Sequence, residues 1–191
     1  MRTGLIAIGT SLGGLNALLA VVRQLPRDLP VPIVVVQHRG ASNDTGLVDL
    51  LQESTALTVV EAEDKAILKP GTLFVAPADY HLLVEDRDSL ALSIEAPVLS
   101  ARPSIDVLFE SAAHAYGDEL VGVLLTGASA DGATGLARIK QRGGRAIVQD
   151  PSTAECATMP SAGIAATAVD YVLPLDRISD HLLSMVEETR V

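Results

Sequence analysis

Residues 4–14 read GLIAIGTSLGG, and this stretch decides the fold. Leu5-Ile6-Ala7-Ile8 is a short, unbroken apolar run, as suits a strand buried on both faces. It stops at Gly9-Thr10-Ser11-Leu12-Gly13-Gly14, and an amphipathic pattern begins at once with Leu15. A strand that turns directly into a helix must bend sharply, and glycines permit the tight dihedrals and close chain approach that such a bend needs. Ser11 is the reactive side chain in the bend. Gly9-Thr10-Ser11-Leu12-Gly13 fits Gly-x-Ser-x-Gly, the pattern that holds a serine exposed on a strand-to-helix turn. Leu12 N–H, at the helix N-terminus, then faces a developing oxyanion.

A glycine-rich turn after a first strand also serves as a phosphate or dinucleotide cradle. Two details count against that use here. Ser11 stands where the second glycine of Gly-x-Gly-x-x-Gly would admit a pyrophosphate. The second strand ends in Gln37-His38, with no acidic residue to take a ribose hydroxyl. A serine needs a base instead, and His38 is one.

Downstream, strand and helix patterns alternate. Leu15, Leu18, Leu19, Val22 and Leu25 recur at helical spacing up to Pro26. Val31–Val36 is a β-branched strand, Asn43-Asp44-Thr45 offers cap chemistry to a helix with Leu47, Leu50 and Leu51, and Leu57–Val60 is a third strand. Glu61, Glu63, Asp64 and Lys65 read as a solvated connection. Thr72–Ala76 is a further strand; His81–Glu85 and Leu90–Glu95 form an antiparallel hairpin added to an otherwise parallel sheet. Pro103-Ser104 opens a helix with Ile105, Leu108, Phe109, Ala112, Ala113 and Tyr116 inward, and Leu120–Leu125 is another buried strand. A helix through Leu136 and Ile139, a strand Arg145–Gln149, an Ala-rich helix from Pro160, a strand Tyr171–Leu173 and a helix capped by Asp176 complete the chain. The order predicts an α/β fold: a doubly wound, mainly parallel sheet in one domain, residues 1–191.

Composition excludes several classes. A net charge of −10 and only 3% aromatic residues leave no basic stripe for nucleic acid. No apolar run reaches the length of a membrane span, and no signal-peptide pattern opens the chain. Cys156 stands alone, so no internal disulfide forms, which fits a reducing cytoplasm; it reads as a small buried side chain. No His, Cys or carboxylate cluster has metal-ligand spacing.

In a doubly wound sheet the strands' carboxyl ends share one edge, and ligands bind in the crevice there. Ser11, His38 and Asp131 all fall just beyond predicted parallel strands. On that rim Ser11 would be the nucleophile and His38 the base, with Asp131 fixing the imidazole tautomer. The chain order Ser-His-Asp differs from that of three well-known serine hydrolase folds. The loop Thr126–Gly132 would lie beside Ser11 and supply Ala128 N–H as a second oxyanion donor. Of the other histidines, His81 lies in the hairpin, where a structural or cleft role outweighs that of a base; His114 and His181 read as structural or solvated. Asp106 reads as a helix-dipole partner, and Asp150 as a turn former.

GTSLGG at 9–14, VVVQH at 34–38, EAEDK at 61–65, PGTLFVAPADYH at 70–81, RPSIDVLF at 102–109, LLTGASADGATGL at 124–136 and Met159-Pro160 together resemble the catalytic domain of CheB, the bacterial chemotaxis protein-glutamate methylesterase family. The resemblance spans nearly the whole chain. It implies a Rossmann-like fold with a triad of Ser11, His38 and Asp131, no cofactor and no metal. It implies as substrates the glutamate γ-methyl esters on the helical cytoplasmic region of chemoreceptors, with methanol released, and deamidation of some receptor glutamines. Two positions depart from the family: Ala128 stands where Met is common, and Arg39-Gly40 where Met-Pro is expected. The chain opens at the first catalytic strand without the family's receiver domain, so control is expected from a separate signalling partner or from substrate delivery rather than from phosphorylation of this chain. Two rival classes are a catalytically silent α/β binding module in a receptor complex and a nucleotide-binding domain.

Overall fold

A computed structural model describes residues 3–39 and 46–187. Its elements follow the predicted alternation: β1 (Leu5–Thr10), α1 (Gly14–Val22), β2 (Ile33–Gln37), α2 (Gly46–Ser54), β3 (Thr58–Glu61), β4 (Thr72–Val75), β5 (His81–Val84), β6 (Leu90–Ser93), α3 (Ile105–Tyr116), β7 (Leu120–Leu124), α4 (Ala133–Gln141), β8 (Arg145–Gln149), α5 (Thr158–Ala166), β9 (Tyr171–Leu173) and α6 (Ile178–Glu187). Seven strands form one sheet in the order β3-β4-β2-β1-β7-β8-β9, parallel at every pairing. The cap chemistry read at Asn43, Asp44 and Thr45, and Gly40 beside it, lie outside the described residues.

The strand period sorts the core into two layers. Ile6, Ile8, Ile33, Val35, Val121 and Val123 point to one face and meet Leu18, Val21, Leu51, Ile178 and Leu182. Leu5, Ala7, Val34, Val36, Leu120 and Leu124 point to the other and meet Leu108, Phe109, Leu136, Ile139 and Met159. With both faces covered, the central strands must be apolar throughout, which is why they lack a polar alternation. Truncating one such fully buried side chain to Ala costs about 2–5 kcal/mol.

Three local readings change. The hairpin β5–β6 exists, but it stands as a two-stranded sheet of its own. Leu82, Val84 and Leu90 pack into the layer containing Leu108 and Phe109, and Ser111 Oγ accepts Val84 N–H at 3.1 Å. Helix α3 thus claims the hairpin that the large sheet leaves aside. Asp176 falls within a single 3-10 turn, Leu175–Arg177, ahead of α6 rather than capping it, although Ile178, Leu182, Met185 and Val186 are buried as expected. Cys156 is half-buried, not enclosed, because its segment lies against the rim described next.

Candidate active site

The strand order reverses across β1: β2, β4 and β3 lie to one side, β7, β8 and β9 to the other. That reversal opens a crevice at the carboxyl ends. Register then dictates neighbours. Thr10 pairs with Gln37, so Ser11 and His38, one residue on, emerge side by side, and His38 N–H donates to Thr10 O at 3.0 Å. From the other flank the β7 loop closes in: Ser11 N–H donates to Thr126 O at 3.0 Å, and Thr126 Oγ1 donates to Leu12 O at 2.9 Å. Gln37 Nε2 donates to Ser11 O at 2.9 Å. Ser11 is therefore positioned by its backbone.

Gly13 explains how so short a turn can start a helix. Its φ of 74° is left-handed, and a Cβ there would come within 2.6 Å of Glu155 Cβ. Leu12 is 56% exposed beside Ser11, and Ala128 is exposed on the facing loop. Backbone bonds pin both loops: Gly14 N–H donates to Ser11 O at 2.8 Å, Gly127 N–H to Cys156 O at 3.1 Å and Met159 N–H to Gly127 O at 2.9 Å.

Asp131 lies fully buried, with His38 Nε2 at 2.6 Å from its Oδ2. A carboxylate only accepts, so Nε2 carries the hydrogen and Nδ1 holds a lone pair. This uses the ring nitrogens in the opposite sense to the triad of chymotrypsin. Three further donors converge on the carboxylate: Ser104 Oγ at 2.8 Å and Asp106 N–H at 3.0 Å to Oδ1, and Ile105 N–H at 2.7 Å to Oδ2. They are the N-terminus of α3, which favours an anion. Burial alone would push the Asp131 carboxyl up, but the bonds from His38, the two backbone N–H groups and Ser104 hold it below the ordinary carboxylate value. Gly9 makes this possible, because a Cβ there would sit 2.2 Å from Ile105 Cγ2 and drive α3 off the strand end.

Asp106 corrects the sequence reading. Rather than complementing its own helix, its Oδ1 accepts Gly132 N–H at 2.9 Å and Gly135 N–H at 2.7 Å, capping α4. The two helices thus exchange carboxylates: Asp131 serves α3 and Asp106 serves α4. Burial, opposed by the Gly135 N–H and reinforced by the Asp131 charge, raises Asp106 to about 6. A raised carboxyl stabilises the fold below its unfolded value of 3.8, and that stability is lost as pH rises through about 6. Above that pH the ionised form costs up to about 3 kcal/mol. Asp106→Asn keeps an acceptor oxygen for both glycines without the charge. The variant should therefore gain more Tm over the parent at pH 8 than at pH 5; an equal difference at both would refute this account.

His81 is 1% exposed, with Nε2 3.2 Å from Ala96 O and Nδ1 accepting Ser104 N–H at 3.2 Å. Both nitrogens are committed, so it is no base for Ser11. His114 is exposed, and His181 meets Tyr171 in a tilted ring contact, with centroids 4.0 Å apart and planes at 60°. Asp150 caps a turn by accepting Ser152 N–H, as expected. Arg39 donates to Glu61 at 2.5 Å and to Ala76 O at 2.9 Å, so Glu61 is tied to the site's edge rather than simply solvated. A cleft of about 420 Å³ opens beside His38, lined by Arg39, Asp79, Ser100 and Arg102. A second groove shares His38 and Arg39 with it and is lined by Leu15, Leu47 and Leu50 beside Gln37.

Four positioning residues escaped the sequence reading: Gln37, Ser104, Thr126 and Gln149. Gln149 is 1% exposed, and its Oε1 accepts Thr126 N–H at 2.9 Å. A signal existed: Gln37 and Gln149 end buried apolar strands and Thr126 follows another closely, where a polar side chain must have a partner.

This geometry can now be set beside known proteins. A sequence profile of the CheB methylesterase family matches residues 6–182. The chain belongs to the CheB methylesterase family. Among its relatives is a Leptospira interrogans protein provisionally named protein-glutamate methylesterase/protein-glutamine glutaminase, 49% identical over 92% of this chain and 91% of that protein. The protein-glutamate methylesterase FrzG of Myxococcus xanthus is 41% identical over 96% of this chain, which spans 55% of that relative. The crystal structure of the Thermotoga maritima CheB methylesterase catalytic domain superposes with a TM-score of 0.92 at 34% identity, covering 97% of this chain and all of that one. At this level of likeness the two chains share one fold. No helix among the described residues is long and apolar enough to cross a membrane.

Proposed function

We propose that this chain is a serine esterase that hydrolyses γ-methyl esters of glutamate on chemoreceptor helices. The observation that carries the reading is the 2.6 Å pair between His38 and buried Asp131, set beside Ser11 at the crevice. Family membership narrows the ester to a protein glutamyl one.

The steps follow from the groups present. Ser11 Oγ attacks the ester carbonyl carbon while His38 Nδ1 takes its proton. Asp131 stabilises the imidazolium so formed, and it remains ionised because four donors surround it. Negative charge on the carbonyl oxygen falls to Leu12 N–H and Ala128 N–H. The C–O bond to the methoxy group breaks, methanol leaves with the proton from His38, and an acyl-enzyme on Ser11 remains. Water, deprotonated by His38, attacks that ester; Ser11 recovers its proton and a glutamate carboxylate departs. Exposed Leu12 and the groove of Leu15, Leu47 and Leu50 suit the apolar side of a substrate helix.

Methanol release from methylated receptor preparations of the same source tests the reading, with Ser11→Ala as control. A second outcome is fixed by leaving-group chemistry. An amide nitrogen must be protonated before it leaves, so esters should turn over faster than matched glutamine amides. Equal rates on paired ester and amide receptor peptides would count against this acyl-enzyme route.

A further inference from the structure

His81 takes no part in the chemistry above, yet its hydrogen bonds lead directly into it. The Ala96 carbonyl can only accept, so His81 Nε2 carries the hydrogen and Nδ1 the lone pair. That lone pair receives Ser104 N–H. Ser104 is the N-cap of α3 and is wholly buried; its hydroxyl accepts Val107 N–H and donates to Asp131 Oδ1. The next two N–H groups of the same turn donate to Asp131 as well. A connected series of hydrogen bonds thus links the Ala96 carbonyl, His81, Ser104, Asp131 and His38, with Ser104 donating to both of its neighbours and Asp131 accepting from both of its own. Ser104 N–H belongs to a helix terminus, where no intrahelical acceptor exists. Buried away from water, it relies on the His81 lone pair. Without that acceptor the peptide would turn to find another, and the Ser104 hydroxyl would swing away from Asp131.

We propose that His81 is a positioning residue for the Ser11 chemistry: through Ser104 its Nδ1 lone pair sets where the Asp131 carboxylate sits, and so which tautomer His38 holds. This rests on the reading of Ser11, His38 and Asp131 given above. It also explains why an imidazole occupies the first position of β5. The site needs an acceptor on one edge and a donor on the other, and the neutral ring supplies both.

Two substitutions separate the edges. His81→Asn places an oxygen where Nδ1 was and keeps the acceptor. His81→Gln reaches toward Ala96 and leaves Ser104 N–H without a partner. The first readout needs no substrate: the downfield proton resonance of the short His38–Asp131 bond in the resting protein. The second is the rate at which Ser11 displaces fluoride from a fluorophosphonate probe, with the serine proton passing to His38. The third is kcat and KM for methanol release.

His81→Gln should shift or lose the resonance and slow both labelling and kcat by roughly 10- to 100-fold, with KM little changed. His81→Asn should keep the resonance and stay within about 5-fold of the parent. A normal resonance and kcat in His81→Gln overturns the proposal, as does an equal fall in both variants. Should circular dichroism show His81→Gln unfolded, Ser104→Ala decides, since it removes the hydroxyl that reaches Asp131, along with its cap on Val107 N–H. It should disturb the resonance and slow labelling, and normal values for both would overturn the proposal. A parent protein that shows the resonance and labels, but releases no methanol, refutes the substrate reading and leaves this one standing.

Discussion

Ser11→Ala should abolish methanol release, lowering kcat on the order of 10⁵- to 10⁶-fold while the fold survives. The bonds holding Ser11 in the turn come from its backbone, to Thr126 O, Gly14 N–H and Gln37 Nε2, and the substitution leaves all three in place. His38→Ala should fall by a similar factor, because a serine with no base is almost as poor a nucleophile as no serine. The two act as one unit, so the double variant should be scarcely slower than either single one. Methanol assays on the three proteins, with circular dichroism for the fold, give the check. Near-normal turnover in His38→Ala would remove His38 as the base and reopen the assignment.

Asp131→Asn should lower kcat by about 10³- to 10⁴-fold, and the geometry gives a specific reason. Each carboxylate oxygen accepts two hydrogens: Oδ1 from Ser104 and Asp106, Oδ2 from Ile105 and His38. An amide NH₂ cannot accept, so either orientation of Asn opposes two donors. Turned toward His38, it forces Nε2 to accept, which moves the ring hydrogen to Nδ1 and leaves no lone pair for Ser11. Turned the other way, it repels the first turn of α3. Stability should fall too, by about 1–3 kcal/mol for each donor left unpaired. Single-turnover acylation and thermal melts measure the two effects separately. A variant with normal acylation would mean that Asp131 only braces α3.

Asp106→Asn makes a useful contrast with this. Both aspartates sit where helices α3 and α4 meet, but in opposite electrostatic positions. Burial prevails at Asp106 and donors prevail at Asp131, so the fold carries one carboxyl raised to about 6 and another held below the usual value. Asp131 adds stability above its unfolded value and loses it as pH falls through its lowered folded one. Asp106 acts in the reverse direction. Acid should therefore relieve one residue before it disables the other.

The sequence by itself determined the doubly wound sheet and the rim. Runs such as LIAI and IVVV cannot face water on either side, so their placement at the sheet centre follows from burial alone. Once those strands are parallel and central, the residues that follow them share one edge, and Ser11, His38 and Asp131 come together there without further information. The bend at Gly13 was legible for the same kind of reason, because a left-handed φ favours glycine. Only the tertiary structure decided the directions of the hydrogen bonds. Asp106 reaches Gly132 and Gly135 on another helix, and His81 on the hairpin reaches Ser104 on α3. No periodicity encodes such pairings, since they depend on which polar group a packed core leaves within about 3 Å of another. The hairpin's independence has a similar origin: alternation predicts a strand but not its partner, and Leu82, Val84 and Leu90 pack in the layer of Leu108 and Phe109 of α3. Local physics sets the elements, and packing sets which atoms of those elements meet.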